Sequence, residues 1–443
     1  MTLKSSISHH RMKIWNSQCN RLLTIVILAF LSACTLDDPA PTDQSPPLSL
    51  STEQNLSLTT LSWDRVKVTG FKEYILLQSS SSIPDNPTPI VNQDVTVVKR
   101  IKDVDETSFS VSPSLITPTV CYKLYCSVDD RFLYSPTVCV QQNIDFVNGF
   151  FDTGSHTPGN DEMVMYDRVN DQLATINYKT GTIINAMPDF AFSFPSLDMS
   201  VWNNVTDVFG FDQSPSTLRK FSYPNLNNTH NVNFNQVLWA AKPYNEFVYV
   251  ATEDFGEGFK VLRRNNLTVI DKRVGITNNQ NIAVFPGDSL VVITFGVNSS
   301  KKYTINATGK VITEDDLSAK LNQANLQFTC AQGNELFIAD AFGSIFNRNG
   351  EKLGALSTNQ NTFIQMIRLS ADESKAIFIA NENGVQRLVI ADLSNLPVVT
   401  KLKSFDLPSL NYGDIIPEDD IIYVVGTTFN NSQAQTYFLK YPM

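Results

Sequence analysis

The sequence predicts an all-β protein, a two-sheet β-sandwich followed by a seven-bladed β-propeller, and two observations carry that expectation. Between residues 143 and 443, seven short apolar runs start at successive intervals of 45, 39, 43, 46, 41 and 44 residues. Between residues 50 and 142, short segments alternate apolar and polar side chains and are separated by Pro-, Ser- and Asn-rich connections. Alternation marks a half-buried strand. A β-only repeat of about 43 residues marks a four-stranded blade.

Residues 1–33 read as a secretory leader. Basic residues (Lys4, Arg11, Lys13, Arg21) precede an apolar core from Leu22 to Leu31, and no acid appears before Asp37. That core is about half the length a membrane-spanning helix needs. A charged start, a short greasy core and small residues describe a signal peptide. Met12 offers a second start with the same downstream consequences. The core runs into "LSAC", ending at Cys34, which resembles the bacterial lipobox. The resemblance implies cleavage before Cys34 and acylation of its thiol, so that lipid chains hold the protein on a membrane. Thr35 stands where inner-membrane retention signals carry Asp, so the resemblance favours the outer membrane, facing the periplasm or the cell surface. The acidic pair Asp37–Asp38 resembles surface-export signals of Bacteroidota lipoproteins. Residues 34–49 are rich in Pro, Asp and Ser and read as an extended tether.

Removal of residues 1–33 takes away four basic residues and no acids. It leaves 30 Lys and Arg against 44 Asp and Glu, a net charge of −14. Such a surface repels nucleic acid and anionic lipid, so neither is expected as a partner. Of four histidines only His156 and His230 remain, far apart in sequence and read as loop residues. Zinc sites and Ser-His-Asp triads ordinarily need more histidine than that.

The first folded unit is expected over residues 50–142. Its strands are "LSLTTLSWDRV" from Leu56, "FKEYILLQSS" from Phe71, "TSFSVS", "TVCYKLYCSV" and "FLYSPTVCVQ". Trp63 on the second strand, "GFKEYILL" as the third and the Tyr-bearing "CYKLYC" resemble a fibronectin type III domain. The chain departs from that pattern at "SSSSIPDNPTPIVNQ", which is longer and looser than usual. A turn centred on Asp130 in "VDDRF" sets Cys121 opposite Cys139, with Tyr122, Leu124 and Cys126 on the core face and Cys121 on the outer one. A Cys121–Cys139 disulfide is therefore expected, the alternative being two surface thiols; an oxidising envelope permits the bond. Cys126 and Cys330 read as buried structural thiols.

The second unit, residues 143–443, carries the repeat. The runs are "MVMYDR" from Met163, "VFGFDQ" from Val208, "FVYVAT" from Phe247, "LVVITF" from Leu290, "LFIADA" from Leu336, "IFIANE" from Ile377 and "IIYVVG" from Ile421. Each is followed by a polar turn and an alternating strand. A run apolar on both faces suits a strand packed between neighbouring blades, and seven blades close into a ring that leaves few open edges. The chain stops after "YFLKY", one strand short of a last blade, and "NIDFVNGFF" from Asn143 is expected to supply it. "LSADESKAIFIANENGVQRLVIADLSN" from Leu369 resembles the repeat of YVTN-type and TolB-like propellers.

Binding sites of a propeller are expected where loops leave the second strand and enter the first. Asp167, Asp212, Asp340 and Asn381 share one offset within their runs. Carboxylates repeated around a ring could gather about a Ca²⁺ ion, or each could simply close its own turn. Trp202, Trp239, Tyr244 and Phe255 near loop ends could stack on a sugar ring or peptide, or pack between blades. Asp-box repeats and repeated blade tryptophans are absent from the sequence, which argues against sialidase and quinoprotein chemistry. The favoured function is non-enzymatic, a lipid-anchored envelope protein holding out a propeller to bind a protein, peptide or glycan, with no cofactor required. The alternatives are a cation-dependent hydrolase or lyase acting on a sugar or lactone, and an assembly factor for outer-membrane proteins.

Overall fold

The computed structural model describes residues 48–443 except 116, 143, 158, 189–195, 214–215, 255, 275–278, 297–298, 322–329, 341, 358–361 and 431–432. Cys34 and the leader lie outside the described residues, as does Phe255. The N-terminal strands are β1 (Ser51–Asn55), β2 (Leu58–Ser62), β3 (Phe71–Ser79), β4 (Val95–Ile101), β5 (Ser108–Val111), β6 (Thr119–Val128), β7 (Arg131–Tyr134) and β8 (Val138–Gln141). One sheet runs β1-β2-β5; the other runs β4-β3-β6-β7, with β8 also on β6. Leu61 and Trp63 of the first sheet side meet Tyr74, Leu76, Tyr122, Leu124 and Cys126 of the second in one buried core.

Cys121 lies opposite Cys139 across β6 and β8, Cα–Cα 3.9 Å, and the two are joined by a disulfide. The register is reached by an indirect route. At the hairpin tip Val128 pairs with Arg131 around a two-residue Asp129–Asp130 turn, one position off the symmetric arrangement expected. The break in pairing between Tyr134 and Val138 restores the offset before the cysteines. A loop of this size is worth about 3 kcal/mol. C121S/C139S should therefore lower the unfolding free energy in urea by roughly that amount. Burial pushes the Cys126 thiol up to about 11, so Cys126 should resist alkylation at pH 8 in the native protein and react once it is unfolded. A Cys121 or Cys139 thiol found free without reductant would contradict the pairing.

The outer face of the second sheet is not solvated. Lys123 is fully buried there. The segment that departs from the expected pattern folds over it: Lys123 Nζ donates to the Pro84 carbonyl at 3.2 Å and to the Asp85 carboxylate, and lies 5.0 Å from the Tyr134 ring centre. Ile83 packs with Ile75, Leu77 and Tyr125 beneath the same cover.

Past β9 (Asp145–Asn148), the chain forms consecutive four-stranded blades. Blade 1 holds β10 (Phe151–His156), β11 (Glu162–Asp167), β12 (Gln172–Asn177) and β13 (Thr182–Met187). Blade 2 holds β14 (Ser196–Trp202), β15 (Val205–Gln213), β16 (Ser216–Ser222) and β17 (Asn228–Asn233). Blade 3 holds β18 (Leu238–Tyr244), β19 (Phe247–Thr252), β20 (Phe259–Arg263) and β21 (Val269–Arg273). Blade 4 holds β22 (Asn279–Phe285), β23 (Leu290–Gly296), β24 (Ser299–Ile305) and β25 (Val311–Asp316), and a one-turn helix α1 (Ser318–Leu321) follows it. Blade 5 holds β26 (Cys330–Gln332), β27 (Leu336–Ala339), β28 (Ser344–Asn347) and β29 (Lys352–Ala355). Blade 6 holds β30 (Thr362–Leu369), β31 (Lys375–Glu382), β32 (Val385–Asp392) and β33 (Thr400–Asp406). Blade 7 holds β34 (Asn411–Pro417), β35 (Ile421–Asn430) and β36 (Gln433–Pro442), and β9 is its fourth strand.

The seven apolar runs are the second strands, and each blade uses both faces of its run. In β19, Phe247, Tyr249 and Ala251 pack towards blade 4, while Val248 and Val250 pack towards blade 2. The same division gives a separate core at every junction, including the one between blades 7 and 1. Burying a Val, Ile, Leu or Phe side chain contributes about 1.5–3 kcal/mol, so each junction holds its blades without help from a central core. The innermost strands touch in sequence, β10 to β14, β18, β22, β26, β30, β34 and back to β10, which closes the ring.

The closing strand comes from the expected segment. Val147 and Phe146 of β9 pair with Thr436 and Tyr437 of β36. Past the start of β9 the sandwich continues that edge, because Ser57 N donates to the Lys440 carbonyl at 3.0 Å and Lys440 N donates to Ser57 Oγ at 2.8 Å. Leu58 is buried in the core between blades 6 and 7. Sandwich and propeller thus form one compact unit.

Candidate functional site

Antiparallel pairing sets the turn between the second and third strands of each blade at the same end as the start of its first strand, hereafter the upper face. Asp167 pairs with Phe151, the first residue of β10. Asp212, Asp340 and Asn381 occupy the matching end of their blades. They are nevertheless engaged locally. Asp167 is buried, and its Oδ1 accepts from the amides of Phe150 (3.1 Å), Val169 (2.9 Å) and Asn170 (3.2 Å). Asp340 sits at φ 73° with Oδ1 accepting from Phe342 N and Ser344 N. Asn381 Oδ1 accepts from Gly384 N at 2.9 Å, in an Asn383–Gly384 turn where both residues have positive φ. Asp212 faces Arg219 at 3.5 Å. Among the described residues no three His, Cys, Asp or Glu side chains come together to hold a metal ion. Asp167, Asp340 and Asn381 thus each close their own turn and Asp212 pairs with Arg219, so the described residues do not gather these side chains into one ring of ligands.

The aromatic candidates divide between the two ends of the ring. Trp202 pairs with Val205 and Tyr244 with Phe247, so both lie at the lower face. Trp239 lies at the upper end of β18, where the register shifts between Leu238 and Ala240, and its indole Nε1 is enclosed without a partner among the described residues. Trp239 therefore presents no donor to the upper face.

What the upper face does expose is phenylalanine. Phe342 in the β27–β28 turn, Phe363 at the start of β30 and Phe429 near the end of β35 are 38%, 43% and 58% exposed. Phe150 stacks on Phe429 at 5.0 Å between ring centres, and Val169 in the β11–β12 turn is also exposed. These residues belong to the consecutive blades 5, 6, 7 and 1. Single exposed apolar residues are ordinary; here they recur on the same face of consecutive blades.

The channel wall is polar and ties the blades together. Met199 N donates to Ser155 Oγ at 2.8 Å, linking blades 2 and 1. Lys242 meets Asp198 at 2.7 Å between blades 3 and 2. Gln332 bonds both backbone groups of Val284, linking blades 5 and 4. On the other side Asp414 of β34 is fully buried between His156 of β10 and Arg368 of β30. Burial alone would raise the Asp414 pKa; Arg368 and His156 beside it hold it below the usual carboxylate range.

Both histidines are strand residues, contrary to their reading as loop residues: His156 is on the channel wall in β10 and His230 on the exposed outer strand β17. Sequence reasoning misplaced His156 in a loop and missed Arg368 and Asp414 altogether. Their partners lie up to 258 positions away, and the innermost strands share no common pattern. Only the placement of polar residues one strand ahead of each apolar run could have pointed to them.

No family model and no curated protein matches this chain. Solved structures similar to it include the β-propeller domain of Cps50 (Swd1) from Myceliophteria thermophila, at 13% identity and a TM-score of 0.47, covering 67% of this chain and 98% of that one. A chain of the mitotic checkpoint complex is similar at 9% identity and a TM-score of 0.46, covering 68% and 94%.

Proposed function

We propose that this chain is a lipid-anchored envelope protein of the outer membrane, tethered through Cys34, that presents the upper face of its propeller to a protein or peptide. The phenylalanines of blades 5, 6 and 7 are the observation that carries this reading. A glycan is a poorer fit, because sugar recognition needs many free hydrogen-bonding groups and the carboxylates of this face are already used in turns. The sandwich serves as a spacer of the fibronectin type III kind. Its strand order, β1-β2-β5 against β4-β3-β6 with β7 and β8, supports that assignment, as does the Trp63–Tyr74 contact in its core. Docking through Ser57 and Leu58 makes it a spacer fixed to the propeller.

Peptides selected from a random library on the chain lacking residues 1–34 provide the test. Buried aromatic contacts of this kind are worth about 1–2 kcal/mol each at an interface. F342S/F363S/F429S should therefore weaken the selected peptides at least about a hundredfold and leave the unfolding midpoint almost unchanged. Peptides that bind the triple variant as well as the parent would refute the assignment of this face. Retention of the anchor by a C34A variant would refute the proposed attachment.

A further inference from the structure

Asp414 holds two basic side chains from two different blades on one carboxylate. His156 Nδ1 lies 2.9 Å from Oδ2, and Arg368 Nη2 donates to Oδ1 at 2.5 Å. Imidazole and guanidinium are thereby set side by side on the channel wall, separated by the width of a carboxyl group. Each is used on one side only. A guanidinium carries five N–H donors; one goes to Asp414 and one to the Ile367 carbonyl at 3.0 Å. The others meet no acceptor among the described residues, and neither does His156 Nε2. Arg368 is 34% exposed and His156 13%, so these unused donors open towards solvent, and no nitrogen of either is enclosed without a partner.

An ion pair that merely fastened blades 6, 7 and 1 would need the Asp414 side of each group and nothing more. Lys242, the cation across the channel, has the Asp198 carboxylate at 2.7 Å beside it, whereas Asp414 is shared by two side chains. The geometry points to a binding site for a small oxyanion, a carboxylate or phosphate group, in the propeller channel. One oxygen of the anion takes the unused N–H groups of Arg368, and another lies against Nε2 of His156. Asp414 orients the imidazole and the guanidinium towards the same stretch of the channel. A guanidinium suits this position because it bonds Asp414 and the Ile367 carbonyl and still presents further N–H donors in the same plane. The inference does not depend on the upper-face reading.

Histidine-selective NMR on the full chain tests it, with acetate and inorganic phosphate titrated separately at constant ionic strength. The His156 ring signal, assigned through H156Q, should move saturably, while that of His230 should not. R368Q should weaken the binding at least tenfold, and K242Q should leave it unchanged. R368K, which retains a charge beside Asp414 but not the planar edge, should fall between R368Q and the parent. Saturation by acetate alone identifies a carboxylate site, and saturation by phosphate alone identifies a phosphoryl site. The inference is overturned by the absence of a saturable shift with either probe, by equal shifts at His230, or by unchanged affinity in folded R368Q and R368K.

Discussion

Asp207→Ala is expected to destabilise the propeller by about 3–5 kcal/mol, because it strands a buried guanidinium. Arg264 in the β20–β21 turn and Asp207 on β15 are 4% and 8% exposed and meet at 2.8 Å between blades 3 and 2. Arg264 also donates to the Ser200 carbonyl and hydroxyl and to the Asn245 carbonyl, and stacks 5.5 Å from the Phe209 ring centre. Three neutral acceptors cannot replace the lost negative charge in so dry a site. Arg264→Ala should cost less, since Asp207 keeps Lys220 at 3.2 Å. Urea unfolding of the chain lacking residues 1–34 measures both. A loss below about 1 kcal/mol for Asp207→Ala would mean that water reaches the pair and that it behaves as a surface ion pair.

Val147→Asp should open the ring. Val147 is buried on the closing strand against Phe151, Met163, Val425 and Phe438, where blades 7 and 1 meet. A carboxyl placed there has no partner, and burying it costs about 3 kcal/mol or more. The strand it disrupts is the only covalently distant one in its blade, so its release leaves β36 as a bare edge. Thr436 should feel the same loss, because its hydroxyl donates to the Gly149 carbonyl and accepts from Phe151 N. Hydrogen exchange at Gln435–Phe438 should accelerate far more than exchange in β19 of blade 3. Equal acceleration in both places would show global destabilisation without opening. Unchanged exchange at Gln435–Phe438 would show that β9 is dispensable for closure.

Both outcomes concern features that stand very differently in relation to the primary structure. The closing strand was legible, since the chain ran out one strand short of a last blade and an unassigned β-like segment lay just before the first. The second strands were legible for a related reason. A strand buried on both faces must be apolar at every position, and that requirement is local and repeats with the blade. Arg264 and Asp207 carried no such mark. Each is a charged residue near a turn, and only the packing of blade 3 on blade 2 removes both from water.

The shared offset of Asp167, Asp212, Asp340 and Asn381 was real, but its meaning was local. An Asp or Asn at the end of a strand can satisfy the amides of the next turn within four residues, without any ring of ligands. Trp202 and Trp239 looked equivalent in the sequence, yet antiparallel register sends them to opposite faces. Lys123 occupies an outward position on an alternating strand, and is nevertheless buried because a connection of irregular sequence folds over it.

Composition and periodicity thus determined the all-β class, the number of blades, the strand that closes them and the pairing of Cys121 with Cys139. These follow from burial patterns that repeat along the chain. The assembly of His156, Arg368 and Asp414 on the channel wall, the phenylalanines gathered on one face and the docking of the sandwich beside β36 were decided by tertiary structure alone. Ring closure brings residues hundreds of positions apart to within a hydrogen bond, and no local pattern records which of them will meet.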